Sequence, residues 1–149
     1  MIVRRAVFSD LGKLMGLLPR LQANVLNDPA KVTEDELELF IAADRLWVAV
    51  VDGAIAGFSA ADAARQTIWA LFVDPAHEGQ GLGRRLLTLA VGTLRNAGCP
   101  GVTLKAAPDT PAEALYRAAG YEEVSRSGEA VVFAFSFEAP PPVSAVRAI

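Results

Sequence analysis

Hydrophobic positions along the chain fall into short runs and helical stripes separated by turn residues. The first run, "IVRRAVF" from Ile2 to Phe8, reads as a strand. Asp10 then stands where it can cap a helix with apolar positions Leu11, Leu14, Met15 and Leu18, and Pro19 ends or kinks that helix. The stretch "TEDE", Thr33 to Glu36, has the form of a capping box, in which the Thr33 hydroxyl and the Glu36 carboxylate each satisfy an orphan backbone N–H. Leu37, Phe40 and Ile41 mark the inner face of the short helix that follows. "LWVAVV" (Leu46–Val51) and "AIAGFSAAD" (54–62) read as strands joined by Asp52-Gly53, a strong hairpin signal. "TIWALFV" (Thr67–Val73) is apolar nearly throughout, which predicts a fourth strand buried on both faces, and Pro75 ends it.

The longest helical stripe is Leu82, Leu86, Leu87, Ala90, Val91 and Leu94, with Asn96-Ala97-Gly98 as its stop. "GVTLKAA" is a fifth strand. Pro111 opens a helix through Ala119, closed by Gly120. "YEEVSR" and "EAVVFAFSF" flank Ser127-Gly128 as a last hairpin, and the alternation of Val131, Phe133, Phe135 and Phe137 puts one face of the final strand against a helix. The resulting order, β-α-α-β-β-β-α-β-α-β-β, predicts a mixed α/β (α+β) fold: one mixed sheet with helices on both faces. The final "EAPPPVSAVRAI" holds three consecutive prolines and few core residues. Residues 1–138 are therefore expected to form a single domain, with 139–149 as a Pro-rich tail.

Composition narrows the classes. The chain has 149 residues, enough for one domain with a real core, and its net charge of −3 comes without a dense Lys/Arg run, so no nucleic-acid face is expected. One cysteine, Cys99, cannot form an internal disulfide, and one histidine cannot build a His-rich metal site, so no metal is expected. The cysteine usage fits a reducing cytoplasm, which is the expected location, and the N-terminus lacks the long apolar core of a signal peptide while no window is long enough to span a membrane.

The chemistry starts at "HEGQGLGRRLL", His77 to Leu87, where glycines at 79, 81 and 83 fall between an apolar strand and the longest helix. A helix N-terminus exposes unpaired N–H groups and partial positive charge, and glycines let a phosphate touch that backbone directly. A phosphate-bearing ligand at residues 79–84 follows, with Arg84 and Arg85 able to add charge-assisted contacts. A tight turn using glycine for packing alone is the competing reading. No Lys-Ser/Thr follows Gly83, so this is not a Walker A loop, and a Rossmann fingerprint wants two residues between its second and third glycines.

"LFVDPAHEGQGLGRRLL", followed about twenty residues later by "PDTPAEALYRAAGYEEV", resembles the GCN5-related N-acetyltransferase (GNAT) family. The first segment is similar to its acetyl-CoA pyrophosphate motif, Arg/Gln-x-x-Gly-x-Gly/Ala; the second is similar to its later Asn-led helix carrying Leu-Tyr and closing in Gly-Phe. The resemblance covers the chain to about Phe137 and implies a mostly antiparallel sheet of six to seven strands, with a V-shaped split between strands four and five. It implies acetyl-CoA as cosubstrate, its pantetheine arm against Leu71, Phe72 and Val73. It places the pyrophosphate on the loop Gly79, Gln80, Gly81, Leu82, Gly83 and Arg84, with Asp109 and Tyr116 completing the cofactor site. A backbone amide at Phe72 or Val73 would polarise the thioester carbonyl. Tyr116 would be the general acid that protonates the departing thiolate, and the acceptor would be the primary amine of a small molecule or peptide. A non-catalytic acyl-CoA-binding regulatory module on the same fold is the alternative, and a homodimer is left open.

Two positions depart from the pattern. Glu78 stands where the family has Arg or Gln, so it either points to solvent or is offset by Arg84 and Arg85. Asp109 replaces the Asn and can still cap a helix. No acid lies on strands four and five, so no general base is assigned. Asp62 fits a hairpin turn as well as a cleft, the acids at 34–38 suit capping and surface charge, and His77 reads as solvated. Without the motif Tyr116 reads as a packing residue. Trp47 and Trp69 read as core or cleft wall, with Trp69 a candidate for an acceptor pocket. Cys99 reads as packing.

Overall fold

The computed structural model describes residues 1–21 and 28–137. The expected tail, 139–149, lies outside the described residues. Strands β1 (Ile2–Arg5), β2 (Leu46–Val51), β3 (Ala54–Asp62), β4 (Thr67–Val73), β5 (Gly101–Ala106), β6 (Glu122–Arg126) and β7 (Val131–Ser136) form one sheet in the order β1-β2-β3-β4-β5-β7-β6. Every pairing is antiparallel except β4 with β5. Helices α1 (Leu11–Leu17) and α2 (Glu34–Ala42) precede β2, α3 (Leu82–Asn96) joins β4 to β5, and α4 (Pro111–Ala118) joins β5 to β6.

Side-chain parity assigns the faces. Leu46, Val48, Phe58, Ala60, Ala70 and Phe72 point to one side, against Leu14, Leu17, Leu37 and Ile41 of α1 and α2. On the other side α3 lays Leu82 and Leu86 on Ala49 and Ala56, with Leu71 and Val73 at their edge. Further along, Leu87, Ala90 and Leu94 of α3 pack with Val102, Leu104 and Ala106 of β5 and Phe133 of β7. Ser59, fully buried, donates its hydroxyl to the Leu86 carbonyl at 3.0 Å. Gly57 permits the close approach there, because a Cβ would lie 2.7 Å from the Phe72 carbonyl and 3.2 Å from Leu86. Both features fix α3, and with it the N-terminus of α3, against the end of β4.

Some expectations change. The first strand stops at Arg5 rather than Phe8, and Phe8–Asp10 winds into a 3-10 turn. Asp10 does not cap α1. Its carboxylate accepts from the Val7 N–H at 2.8 Å and twice from Arg4, at 2.8 and 2.9 Å, which closes that turn. β4 is not buried on both faces: only Ala70 and Phe72 are fully inside, and the rest is half-buried. In β7 Val131 and Phe133 are buried as expected, but Phe135 is 45% exposed, edge-on to Tyr121.

Candidate active site

β4 and β5 meet at a single register position, Thr67 opposite Thr103. The Thr67 hydroxyl donates to the Thr103 carbonyl at 2.6 Å, and the Thr103 N–H donates to Gln66. Beyond that point the two strands part. The β3–β4 register slips here as well: Ala60 faces Ala70 while Ala61 faces Ile68, leaving Trp69 as the extra residue of a bulge. A bulge bends its strand, and past it the rest of β4 makes no register pair with β5.

The parted edge carries free backbone. The Asp74 N–H donates to the Ala56 carbonyl at 2.7 Å, so in the antiparallel alternation Phe72 and Ala70 also turn their polar groups to β3. Leu71 and Val73 turn theirs toward the split. Of the two amides expected to polarise a carbonyl, Phe72's is therefore committed to β3 and Val73's faces the opening.

At the C-terminal end of β4 a cavity of about 600 Å³ is lined by Leu71, Phe72, Val73, Pro75, His77, Glu78, Gly79, Gly81, Leu82, Gly83 and Arg84, and across from them by Thr110, Pro111, Ala112 and Leu115. Gly81 is the N-cap of α3 with φ +80°, a left-handed conformation that L side chains disfavour, and a Cβ there would meet nothing within 4 Å. Among the described residues the space in front of this helix terminus is open, and no side chain caps it. The orphan N–H groups of the first turn of α3 are thus available to an anion.

The expected cofactor residues divide. Leu71, Phe72, Val73, Gly79, Gly81, Leu82, Gly83 and Arg84 line the cavity; Gln80 is exposed beside it, and Arg85 is outside it. Asp109 is exposed and off the lining, and it does not cap α4. Thr110 does, accepting from the Glu113 N–H, while Asp109 takes a left-handed φ of 60° and donates its own N–H to Glu113. Tyr116 follows Leu115 on α4 but is only 5% exposed, edge-on to Phe133 and Tyr121. Burial first, and the Tyr121 hydroxyl second, push its phenol up to about 12.

Other candidates settle as follows. Asp62 accepts from the Arg65 N–H and so serves its turn. Glu36 completes the capping box with Thr33. Trp69 stacks on Phe40 of α2 with ring centroids 4.6 Å apart, on the α1–α2 side of the sheet and off the cavity. Trp47 donates to Thr93 and Cys99 to the Ala63 carbonyl, both packing roles. Glu78, exposed, lines the cavity. His77 is not simply solvated: it lines the cavity, and its Nδ1 is fully enclosed. Asp74, which caps the 3-10 turn holding His77 and is ion-paired to Arg20 at 2.5 Å, was missed; only Asp-Pro at positions 74–75 hinted at it. No helix among the described residues is long and apolar enough to cross a membrane, and no described group of His, Cys, Asp or Glu is arranged for a metal ion.

A mixed sheet whose one parallel pair parts beside a glycine-built helix terminus defines a class of protein with an open cleft between two strands. The comparisons with known proteins make the class specific. The acetyltransferase (GNAT) family model matches residues 18–121, and the chain belongs to that family. It is thereby an acyl-CoA-dependent acyltransferase. Among solved structures it is similar to the ribosomal-protein-S18-alanine N-acetyltransferase of Escherichia coli (TM-score 0.70, 19% identity, covering 95% of this chain and 96% of that one). It is also similar to the PaiA N-acetyltransferase of Thermoplasma acidophilum in complex with coenzyme A (TM-score 0.72, 14% identity, 91% and 98% covered). A third is yncA of Salmonella typhimurium with its cofactor acetyl-CoA (TM-score 0.72, 20% identity, 95% and 98% covered). No curated protein matches the chain in sequence.

Proposed function

We propose that this chain moves the acetyl group of acetyl-CoA to a primary amine of a small molecule or peptide by direct attack. The observation that carries the reading is the separation of β4 from β5 after one pairing, with free backbone on Leu71 and Val73 leading to the open N-terminus of α3. The first-turn amides of α3 and Arg84 bind the pyrophosphate. The Leu71 and Val73 backbone groups pair with the pantetheine arm, and the donor nearest the thioester carbonyl stabilises the oxygen that gains charge during attack. Tyr116, kept protonated by its burial, donates toward the departing thiolate. The apolar lining of Leu71, Phe72, Val73 and Leu115 excludes water from the thioester. The acceptor approaches from the α1–α2 side, where Trp69 and Phe40 form an aromatic wall.

Two solved relatives bear on the acceptor class: their names give ribosomal-protein alanine as the site acted on, one from Escherichia coli and one from Brucella melitensis. A peptide N-terminus is therefore the first acceptor to test. The experiment is release of CoA thiol from acetyl-CoA over a panel of amines that includes peptides with N-terminal alanine. Amine-dependent release supports the transferase. Tight acetyl-CoA binding with no release for any amine favours the non-catalytic acyl-CoA-binding module.

A further inference from the structure

We propose that His77 is a switchable phosphate-binding cation of this site: its imidazolium form, backed by the carboxylate of Asp74, holds the CoA pyrophosphate, so that CoA affinity rises as pH falls. The proposal rests on the acyl-CoA reading above.

It starts from a shortage of positive charge. Position 78, where the family's motif has Arg or Gln, carries Glu, and among the described residues the only fixed cation on the cavity lining is Arg84. A diphosphate brought into this cavity meets one guanidinium and one carboxylate, whose charges cancel. His77 is the remaining titratable group on the lining.

Its surroundings place a carboxylate behind one ring nitrogen and leave the other toward the cavity. Nδ1 is fully enclosed and has no hydrogen-bond partner among the described residues, yet it lies 3.9 Å from Oδ2 of Asp74. Asp74 is 3% exposed; its Oδ1 accepts from the Ala76 N–H at 3.1 Å, and Oδ2 also receives Arg20 at 2.5 Å. A bare Nδ1 lone pair facing that carboxylate is repelled, so the proton belongs on Nδ1. In the neutral ring that choice leaves Nε2 an acceptor, which cannot donate to a phosphate oxygen. Only the imidazolium has an N–H at both ends, one for Asp74 and one for the ligand. The side chain is 26% exposed, and with Nδ1 enclosed the open part of the ring is the side away from Asp74.

The charged groups around the ring are Asp74 on its own turn, Arg20, which reaches Asp74 from the turn after α1, and Glu78 and Arg84 on the same cavity lining. The lining residues from β4 and α4 are uncharged. A bound pyrophosphate adds negative charge, so binding takes up a proton, and by linkage affinity increases as pH falls through the His77 titration.

The chain has a single histidine, which makes the test direct. Tag-free protein is followed by NMR at the imidazole Hε1 from about pH 5.5 to about pH 8.5, bracketing the ordinary histidine value of about 6.5, with and without dephospho-CoA. That probe keeps the pyrophosphate and lacks the 3′-phosphate, which would titrate in the same window. The expected result is a midpoint raised by about one unit or more on binding, matched by calorimetric affinity about tenfold tighter at the acid end. The same affinity profile is flat for His77→Gln. A midpoint that stays put while dephospho-CoA binds overturns the proposal and leaves the acyl-CoA reading intact. Failure of both dephospho-CoA and acetyl-CoA to bind at any pH overturns that reading and the proposal together.

Discussion

Tyr116 is a residue at which packing can be separated from the proposed chemistry. Its ring sits centroid to centroid 5.7 Å from Phe133 and 6.5 Å from Tyr121, so Tyr116→Phe keeps the packing and removes the proton donor. A phenol at about 12 is protonated throughout the neutral range, but it is a weak acid toward a thiolate. The expected loss in kcat is therefore about 10²-fold, the low end for a general acid, with acetyl-CoA affinity unchanged. The loss shrinks above about pH 8.5, where a thiolate leaves without a proton. A stopped assay of kcat against pH checks this, and wild-type turnover across the range makes Tyr116 a packing residue. Gly81 tests the other end of the cleft. A valine there faces open space but must adopt a φ of +80° and fill the phosphate's approach. Acetyl-CoA affinity should drop at least about tenfold, or about 1.4 kcal/mol, by calorimetry on folded protein. Arg84→Ala should weaken binding more than Arg85→Ala, because only Arg84 lines the cavity.

At the scale of elements, an exposed charge network ties α4 to β6 above the apolar packing that seats the helix. Glu113 accepts from the Asp109 N–H at 3.1 Å and from Arg117 and Arg126, each at 3.1 Å, and both arginines also reach Glu123 on β6. The Asp109 amide first, then the two arginines, bring the Glu113 carboxyl down to about 2 from 4.5. A carboxylate lowered on folding stabilises above its unfolded value, and that contribution disappears as pH falls through the folded one. Glu113→Gln should therefore lower Tm at neutral pH, with the gap closing between about pH 4.5 and about pH 2. A gap that is constant down to the acid limit would contradict the network. The capping box of α2 and the β2–β3 hairpin were legible in the sequence because each is fixed by neighbours within four residues. The cap of α4 was misplaced by one residue because Asp109 and Thr110 both suit a helix start. Only φ decides between them. Asp10 was misread because its partner Arg4 lies on the preceding strand, outside any capping pattern.

For the whole molecule, period and turn residues were enough to anticipate the element order and one mixed sheet, because they report directly on strands and helices, whereas the split between β4 and β5 was anticipated only by what the family resemblance implies. The hydrophobicity of β4 misled about burial: an apolar strand lining an open cavity reads the same as one buried in protein. The Arg20–Asp74–His77 cluster was out of reach because Arg20 comes from the turn after α1 and meets Asp74 only in the folded chain. The central claim is that an acyl-CoA lies along the free edge of β4 with its pyrophosphate on the N-terminus of α3. A ¹H–¹⁵N NMR titration with acetyl-CoA tests it most directly. The account predicts the largest shifts at the amides of Leu71 and Val73 and of residues 79–84, with little change at the exposed face of α2 around Asp35 and Leu39. Binding that leaves those amides unmoved, or moves the α2 face instead, would contradict it.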